Sequence, residues 1–229
     1  MTHLVVLPGL DGTATMHAAF VEAVRPSFET VSVIAYPSDQ VLSYDELEAL
    51  VRDSLPEGKF VLLGESFSGP IAISIAAAQP RGLAGLVLST SFARTPVPLL
   101  SSFAALVRVA PIRTLPQPLL SAILLGPWRT PELMSSLRHA LESVAPEVLR
   151  ARVAAAMRID VSWRLAEINL PVLYLRATND RLMPSAASRE IASMAKDGSL
   201  VDIRGPHLLL QTAPQACAQA VAEFAARLR

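Results

Sequence analysis

The stretch Val61-Leu62-Leu63-Gly64-Glu65-Ser66-Phe67-Ser68-Gly69-Pro70 decides how this chain folds. A short apolar run stops at Gly64, presents one serine, and passes through Ser68-Gly69 into Ile71-Ala72-Ile73-Ser74-Ile75-Ala76-Ala77. That order reads as strand, sharp turn and helix, with Ser66 at the apex and its hydroxyl lifted off the end of a sheet. The free N–H groups and dipole of a helix start behind it favour developing negative charge. The pattern is that of a nucleophile elbow, G-x-S-x-G, except that Ser68 holds the last position and Gly69 follows one residue late. A small residue for close strand–helix packing is still present, and Ser68 reads as permitting that packing. Five residues alone are weak evidence, so the partners must be sought elsewhere.

Working outward, the chain alternates. His3-Leu4-Val5-Val6-Leu7 reads as a doubly buried strand ending in the turn Pro8-Gly9-Leu10-Asp11-Gly12-Thr13. A helix is expected from about Ala14 to Val24, a strand over Thr30 to Ala35, and a helix opening at Ser43 with Glu46 as its capping box. Lys59 to Leu63 feeds the elbow, and Ala84 to Leu88 is the next strand. From Phe92 to about Ile168 no strand is legible, only helical composition punctuated by Pro96, Pro98, Pro111, Pro116, Pro118, Pro127 and Pro131. Short proline-separated helices suit a lid over one end of the sheet. The alternation resumes with a strand over Pro171 to Arg176, a helix from about Ser185 to Met194, a strand over Leu200 to Ile203 and a closing helix from about Ala213 to Leu228. The expectation is one α/β domain: a doubly wound, mostly parallel sheet of about six strands, with core 1–91 and 169–229 and a helical lid over about 92–168.

Bulk properties narrow the function classes. The chain has 229 residues, 52% of them hydrophobic, with a net charge of zero, so nothing global points to nucleic acid. One cysteine, Cys217, permits no disulfide framework, and neither a signal peptide nor an apolar run of about 18 residues is present. A cytoplasmic protein without stable membrane insertion is the expectation. Four scattered histidines offer no metal-ligand spacing, and no Gly-rich phosphate loop is present, so no metal or other cofactor is expected.

Serine needs a positioned base, itself oriented by an acid. In a parallel sheet, all strand C-terminal ends open onto one edge, so such groups belong in the loops just after strands. The loop Ala177-Thr178-Asn179-Asp180 and the loop Gly205-Pro206-His207 supply both. His3 begins a strand at the other end of the sheet, His139 lies in the lid, and His17 reads as a surface or internally satisfied histidine. Asp11 suits a turn, Asp160 the lid, and Asp202 lies within a strand. Glu65 reads as a solvated or locally hydrogen-bonded carboxylate.

The order Ser66, Asp180, His207, with N-D-x-x-x-P and G-P-H followed by Pro214 and a final helix, resembles the α/β-hydrolase superfamily over nearly the whole chain. Relative to that family, the N-terminal antiparallel hairpin is lacking and the chain opens at what is usually the third strand. Small lidded carboxylesterases, including pimeloyl-carrier-protein methyl ester esterases, are the nearest in layout. The resemblance implies a catalytic triad of Ser66, Asp180 and His207, with an oxyanion hole from the backbone N–H groups of Phe67 and Leu10. Pro8 stands where the family usually has histidine. It implies an ester hydrolase with an apolar acyl group and an acyl-enzyme intermediate. A thioesterase or acyltransferase, a lyase or cofactor-free peroxidase, and a catalytically silent binding protein are the alternatives.

Leu99, Leu100, Leu119, Leu120, Leu124, Leu125, Trp128 and Met134 would line the acyl pocket or hold the lid together; Trp128 and Met134 are the substrate-binding candidates. The lid carries Arg94, Arg108, Arg113, Arg129, Arg138, Arg150, Arg152, Arg158 and Arg164 against Glu132, Glu142, Glu147 and Asp160. That surplus is either a solvated surface or a docking face for an acidic acyl-carrier protein.

Overall fold

Successive residues of the first strand, Leu4, Val5, Val6 and Leu7, are all at most 1% exposed, and they alternate between two separate apolar clusters. Leu62 and Leu63 of the elbow strand divide in the same way. A strand whose side chains are buried on both faces lies in the middle layer of a three-layer sandwich. The computed structural model, which describes residues 2–95 and 117–228, shows that architecture.

Six strands, β1 (His3–Leu7), β2 (Val31–Val33), β3 (Phe60–Glu65), β4 (Leu83–Ser89), β5 (Val172–Ala177) and β6 (Gly198–Ile203), form one sheet in the order β2-β1-β3-β4-β5-β6. Every pairing is parallel. β1 is flanked by β2 and β3, so the chain winds first toward one edge and then toward the other.

On one face lie α2 (Tyr44–Asp53), α3 (Gly69–Ala77) and, after the lid, the helix Ser185–Met194, contributing Leu47, Val51, Ile71, Ile75 and Ile191 to the core. The other face carries α1 (Ala18–Val24) and the closing helix Pro214–Ala226, with Phe20, Val24, Val221 and Phe224. Each such side chain, fully buried, contributes about 1.5–3 kcal/mol. The capping box of α2 is present: Glu46 N–H donates to Ser43 Oγ at 3.2 Å while Ser43 N–H donates to Glu46 Oε2 at 2.7 Å. The expected first helix is instead split, a 3-10 turn over Thr15–His17 leading into α1.

Between β4 and β5 the described lid residues form α4 (Gln117–Leu124), a 3-10 turn Gly126–Trp128, α5 (Pro131–Glu142), α6 (Pro146–Ala156) and a 3-10 stretch Ser162–Glu167. Pro127, Pro131 and Pro146 stand in the first turns of their helices, where a missing N–H leaves no bond unmade. These prolines therefore start the lid helices. α7 (Ser185–Met194), α8 (Leu209–Thr212) and α9 (Pro214–Ala226) complete the chain. The lid expectations for Leu99, Leu100, Arg108 and Arg113 fall outside the described residues. No helix among the described residues is long and apolar enough to cross a membrane.

Candidate active site

β3 delivers Ser66 into a turn with φ of 47°, a left-handed backbone that a serine occupies only when its surroundings hold it there. Those surroundings are specific. A Cβ on Gly64 would stand 2.8 Å from the Ala72 Cβ, and one on Gly69 would meet the Ser91 Oγ at 1.8 Å, so strand, helix and the loop after β4 close on the elbow only with glycine at both positions. Ser91 Oγ donates to Ser66 O at 2.5 Å, and the Tyr174 hydroxyl accepts from Ser91 N–H and donates to Ser91 O at 2.8 and 2.6 Å.

Ser66 Oγ lies 2.8 Å from His207 Nε2, and His207 Nδ1 lies 2.9 Å from Asp180 Oδ2. Asp180 Oδ1 accepts the backbone N–H groups of Leu182 and Met183 at 2.8 and 2.9 Å, which turns Oδ2 toward the histidine. Thr178 N–H to Ile203 O and Asn179 N–H to Gly205 O, both 3.0 Å, tie the acid loop to the histidine loop. With Nδ1–H donating to the carboxylate, the Nε2 lone pair faces the serine hydroxyl, the arrangement a general base requires. The three residues singled out in the sequence are thus one hydrogen-bonded relay, each in the loop after its own strand.

Phe67 N–H belongs to the first helical turn, where it has no intrahelical acceptor. Among the described residues, Leu10 N–H donates to no acceptor either. The loop carrying Leu10 is closed by Gly12 N–H to Gly9 O at 3.0 Å, and by Thr13, whose N–H and Oγ1–H donate to Asp11 Oδ2 at 2.9 and 2.5 Å. Ser68 does more than permit packing. Its hydroxyl donates to Pro8 O and lies 2.6 Å from the Tyr36 hydroxyl, bracing the loop that lacks the family histidine.

Glu65 and His17 meet in a contact that sequence alone does not show. Glu65 is only 2% exposed and His17 only 1%, with His17 Nε2 2.8 Å from Glu65 Oε2, although 48 positions separate them in sequence. A solvated carboxylate is therefore excluded. Burial disfavours both charges, yet each partner's opposite charge and hydrogen bond outweigh it: the His17 pKa is raised and that of Glu65 lowered. Both shifts favour the charged forms of this pair, which lies beside Ser66. Its sequence signal was the placement of His17 just after the turn over residues 8–13, with nothing to say which acid it would meet.

A cavity of about 400 Å³ opens onto Ser66 and His207. Its walls include Leu120, Leu124, Leu137, Leu141, Leu149 and Val153 from three lid helices, with Glu65 and Gln211 at the catalytic end. Trp128 and Met134 are not among its lining residues. Trp128 sits in the turn after α4, and Met134 packs with Leu125, Leu137 and Met16 to fasten the lid to the core. Of the lid arginines, Arg152 is 3% exposed and hydrogen-bonded to core carbonyls, so it is unavailable as a docking group. Arg94 pairs with Glu190 at 2.8 Å, while Arg138 and Arg158 are exposed. No cluster of three or more His, Cys, Asp or Glu side chains suited to a metal ion occurs among the described residues.

This parallel sheet, with serine, acid and histidine presented in that order along one edge, defines an α/β-hydrolase. Residues 38–206 match the family described as serine aminopeptidase, S33, and the chain belongs to it. A relative from Caulobacter sp. (strain K31), named "Putative carbamate hydrolase RutD", is 26% identical over 96% of this chain and 89% of its own length. Among solved structures, an enol-lactonase from Burkholderia xenovorans LB400 superposes with a TM-score of 0.85 at 18% identity, over 99% of this chain and 92% of that one. A thermophilic esterase from Thermogutta terrifontis, malate bound, does so with a TM-score of 0.80 at 25% identity, over 99% and 89%. The chain is a hydrolase of this fold.

Proposed function

We propose that the protein is a serine hydrolase cleaving carboxylic esters with an apolar acyl group. The observation that carries this reading is the Ser66–His207–Asp180 relay opening directly into an aliphatic cavity. Ser66 Oγ attacks the acyl carbon as its proton passes to His207 Nε2. Asp180 holds the imidazole tautomer and stabilises the imidazolium. The developing oxyanion is received by Leu10 and Phe67 N–H groups, a contribution of several kcal/mol to the barrier. His207 then protonates the leaving alcohol, and the acyl-enzyme is released when His207 deprotonates a water that attacks the same carbon. Each step balances with ester and water alone.

Delivery of the acyl group by an acidic carrier protein would rest on exposed arginines such as Arg138 and Arg158, since Arg152 is engaged inside the fold. The test is stoichiometric labelling by a fluorophosphonate, abolished in Ser66→Ala, followed by a p-nitrophenyl ester series from acetate to decanoate beside matching thioesters and aminoacyl anilides. Labelling with the highest kcat/KM on a medium-chain ester is expected. Absence of labelling in folded protein, or a preference for aminoacyl anilides over every ester, would sink the reading.

A further inference from the structure

Arg152 is the only buried lysine or arginine among the described residues. Its Nη1 donates to Leu10 O at 3.1 Å and to Asp11 O at 2.6 Å, its Nη2 donates to Pro37 O at 2.9 Å, and its guanidinium carbon lies 5.6 Å from the centre of the Tyr36 ring. None of these three acceptors is a carboxylate, so the cation is held by backbone carbonyl dipoles and an aromatic face. Desolvating a guanidinium costs several kcal/mol, and an apolar side chain would fill the same space more cheaply. What an apolar residue cannot do is grip the two carbonyls that follow the Leu10 N–H. The loop is shaped to receive that grip: Gly12 has φ of +69°, and a Cβ there would lie 2.5 Å from Nη1 and 2.9 Å from Cζ.

Arg152 sits on α6 between Leu149 and Val153, both of which line the acyl cavity. One lid helix therefore forms a wall against the substrate chain and also holds the oxyanion loop. We propose that Arg152 is a positioning residue of the reaction, fixing the Leu10 N–H where the oxyanion forms, so that the lid contributes to the chemical step as well as to binding. The proposal rests on the reading of Leu10 as an oxyanion donor.

The experiment uses Arg152→Lys and Arg152→Met in the full chain, with active sites counted by fluorophosphonate burst so that only folded enzyme enters kcat. A lysine keeps the charge but replaces a planar fork reaching three carbonyls by a single point. A displacement of the loop by about 1 Å lowers kcat by about 10²-fold in Arg152→Lys, with KM for a hexanoate ester within about twofold of wild type. Inhibition by an alkylboronic acid, which Ser66 converts to a tetrahedral anion, weakens by the same factor as kcat/KM. Ethylguanidinium added to an Arg152→Ala variant restores part of kcat. A kcat in Arg152→Lys or Arg152→Met within about threefold of wild type overturns the positioning role while leaving the esterase reading intact. If wild type neither hydrolyses the ester nor binds the boronate, the underlying reading fails and takes this proposal with it.

Discussion

Replacing Glu65 by glutamine takes one charge out of a pair whose side chains are 1% and 2% exposed and 2.8 Å apart. Removing one partner of such a pair costs about 3–5 kcal/mol, because the other charge stays buried without compensation. An amide oxygen still accepts from His17 Nε2–H, which places the expected loss at the low end, about 3 kcal/mol. With a urea slope of about 2–3 kcal/mol per molar, the unfolding midpoint falls by about 1 M. The pH dependence has a definite sign. His17 is raised above its ordinary 6.5, so its contribution is complete below 6.5 and is lost as pH climbs through the folded value. Glu65 is lowered below its ordinary 4.5, so its contribution is complete above 4.5 and is lost as pH falls through the folded value. The gap between wild type and variant is therefore widest between pH 4.5 and 6.5, the window in which both contributions are complete. Asp11, His207 and Gln211 also act on the pair and are unchanged in the variant. A double variant, His17→Phe with Glu65→Met, regains most of the loss, because it leaves no orphaned charge. The assay is urea unfolding followed by far-ultraviolet circular dichroism at several pH values. A midpoint for Glu65→Gln within about 0.2 M of wild type, or a gap that widens from pH 6.5 to 9, would refute this account.

Three further outcomes follow from the geometry. Asp180→Asn leaves the fold in place but presents the wrong histidine tautomer, lowering kcat by roughly 10⁴-fold; a loss under about tenfold in steady-state ester hydrolysis would remove Asp180 from the relay. Gly69→Ala drives a methyl group to 2.8 Å from the Ser91 Cβ, which rotamer change cannot relieve, so stability falls by about 1–3 kcal/mol and urea unfolding should show it. Cys217, buried with its thiol pushed up to about 12 by desolvation and then by the nearby Glu65 charge, stays unreactive toward a disulfide reagent at pH 8 until the protein is unfolded. Rapid modification of the native protein would contradict that environment.

The grouping of Ser66, Asp180 and His207 was legible because each follows a strand: position along the chain, with parallel topology, is enough to bring the three to one edge. Strand identity was legible for a related reason. Residues such as Leu4 to Leu7 are buried on both faces, so the sequence shows an unbroken apolar run. Boundaries moved by a residue or two, as at β3, which extends through Glu65 and so carries that carboxylate into the core. What sequence could not reveal were contacts whose partners are distant and whose residue types are ordinarily solvated. Glu65 with His17 is one. Arg152 is another: among nine lid arginines its spacing is unremarkable, and only the approach of α6 to the Gly9–Gly12 turn separates it from Arg158. Trp128 and Met134 lie outside the cavity lining, and sequence left both roles open because a large apolar side chain serves a lid's internal packing as readily as it serves a substrate.

β4 and β5 are hydrogen-bonded neighbours, yet the chain leaves the sheet after Ser89 and returns only at Val172. Closing an excursion of about 80 residues, rather than one of about 10, adds only about 2 kcal/mol of loop entropy, since that cost rises by about 0.6 kcal/mol per doubling. The insertion point is thus permissive toward length and content, while Ser66, Asp180 and His207 all lie outside the insertion. A lid grafted from a relative should leave the nucleophile reactive. Turnover should stay about 10²-fold below wild type unless the graft also carried a side chain able to reach the carbonyls of Leu10, Asp11 and Pro37 as Arg152 does. Exchange of lids, and with it exchange of substrates, then depends on keeping the contact that Arg152 makes with the turn after β1.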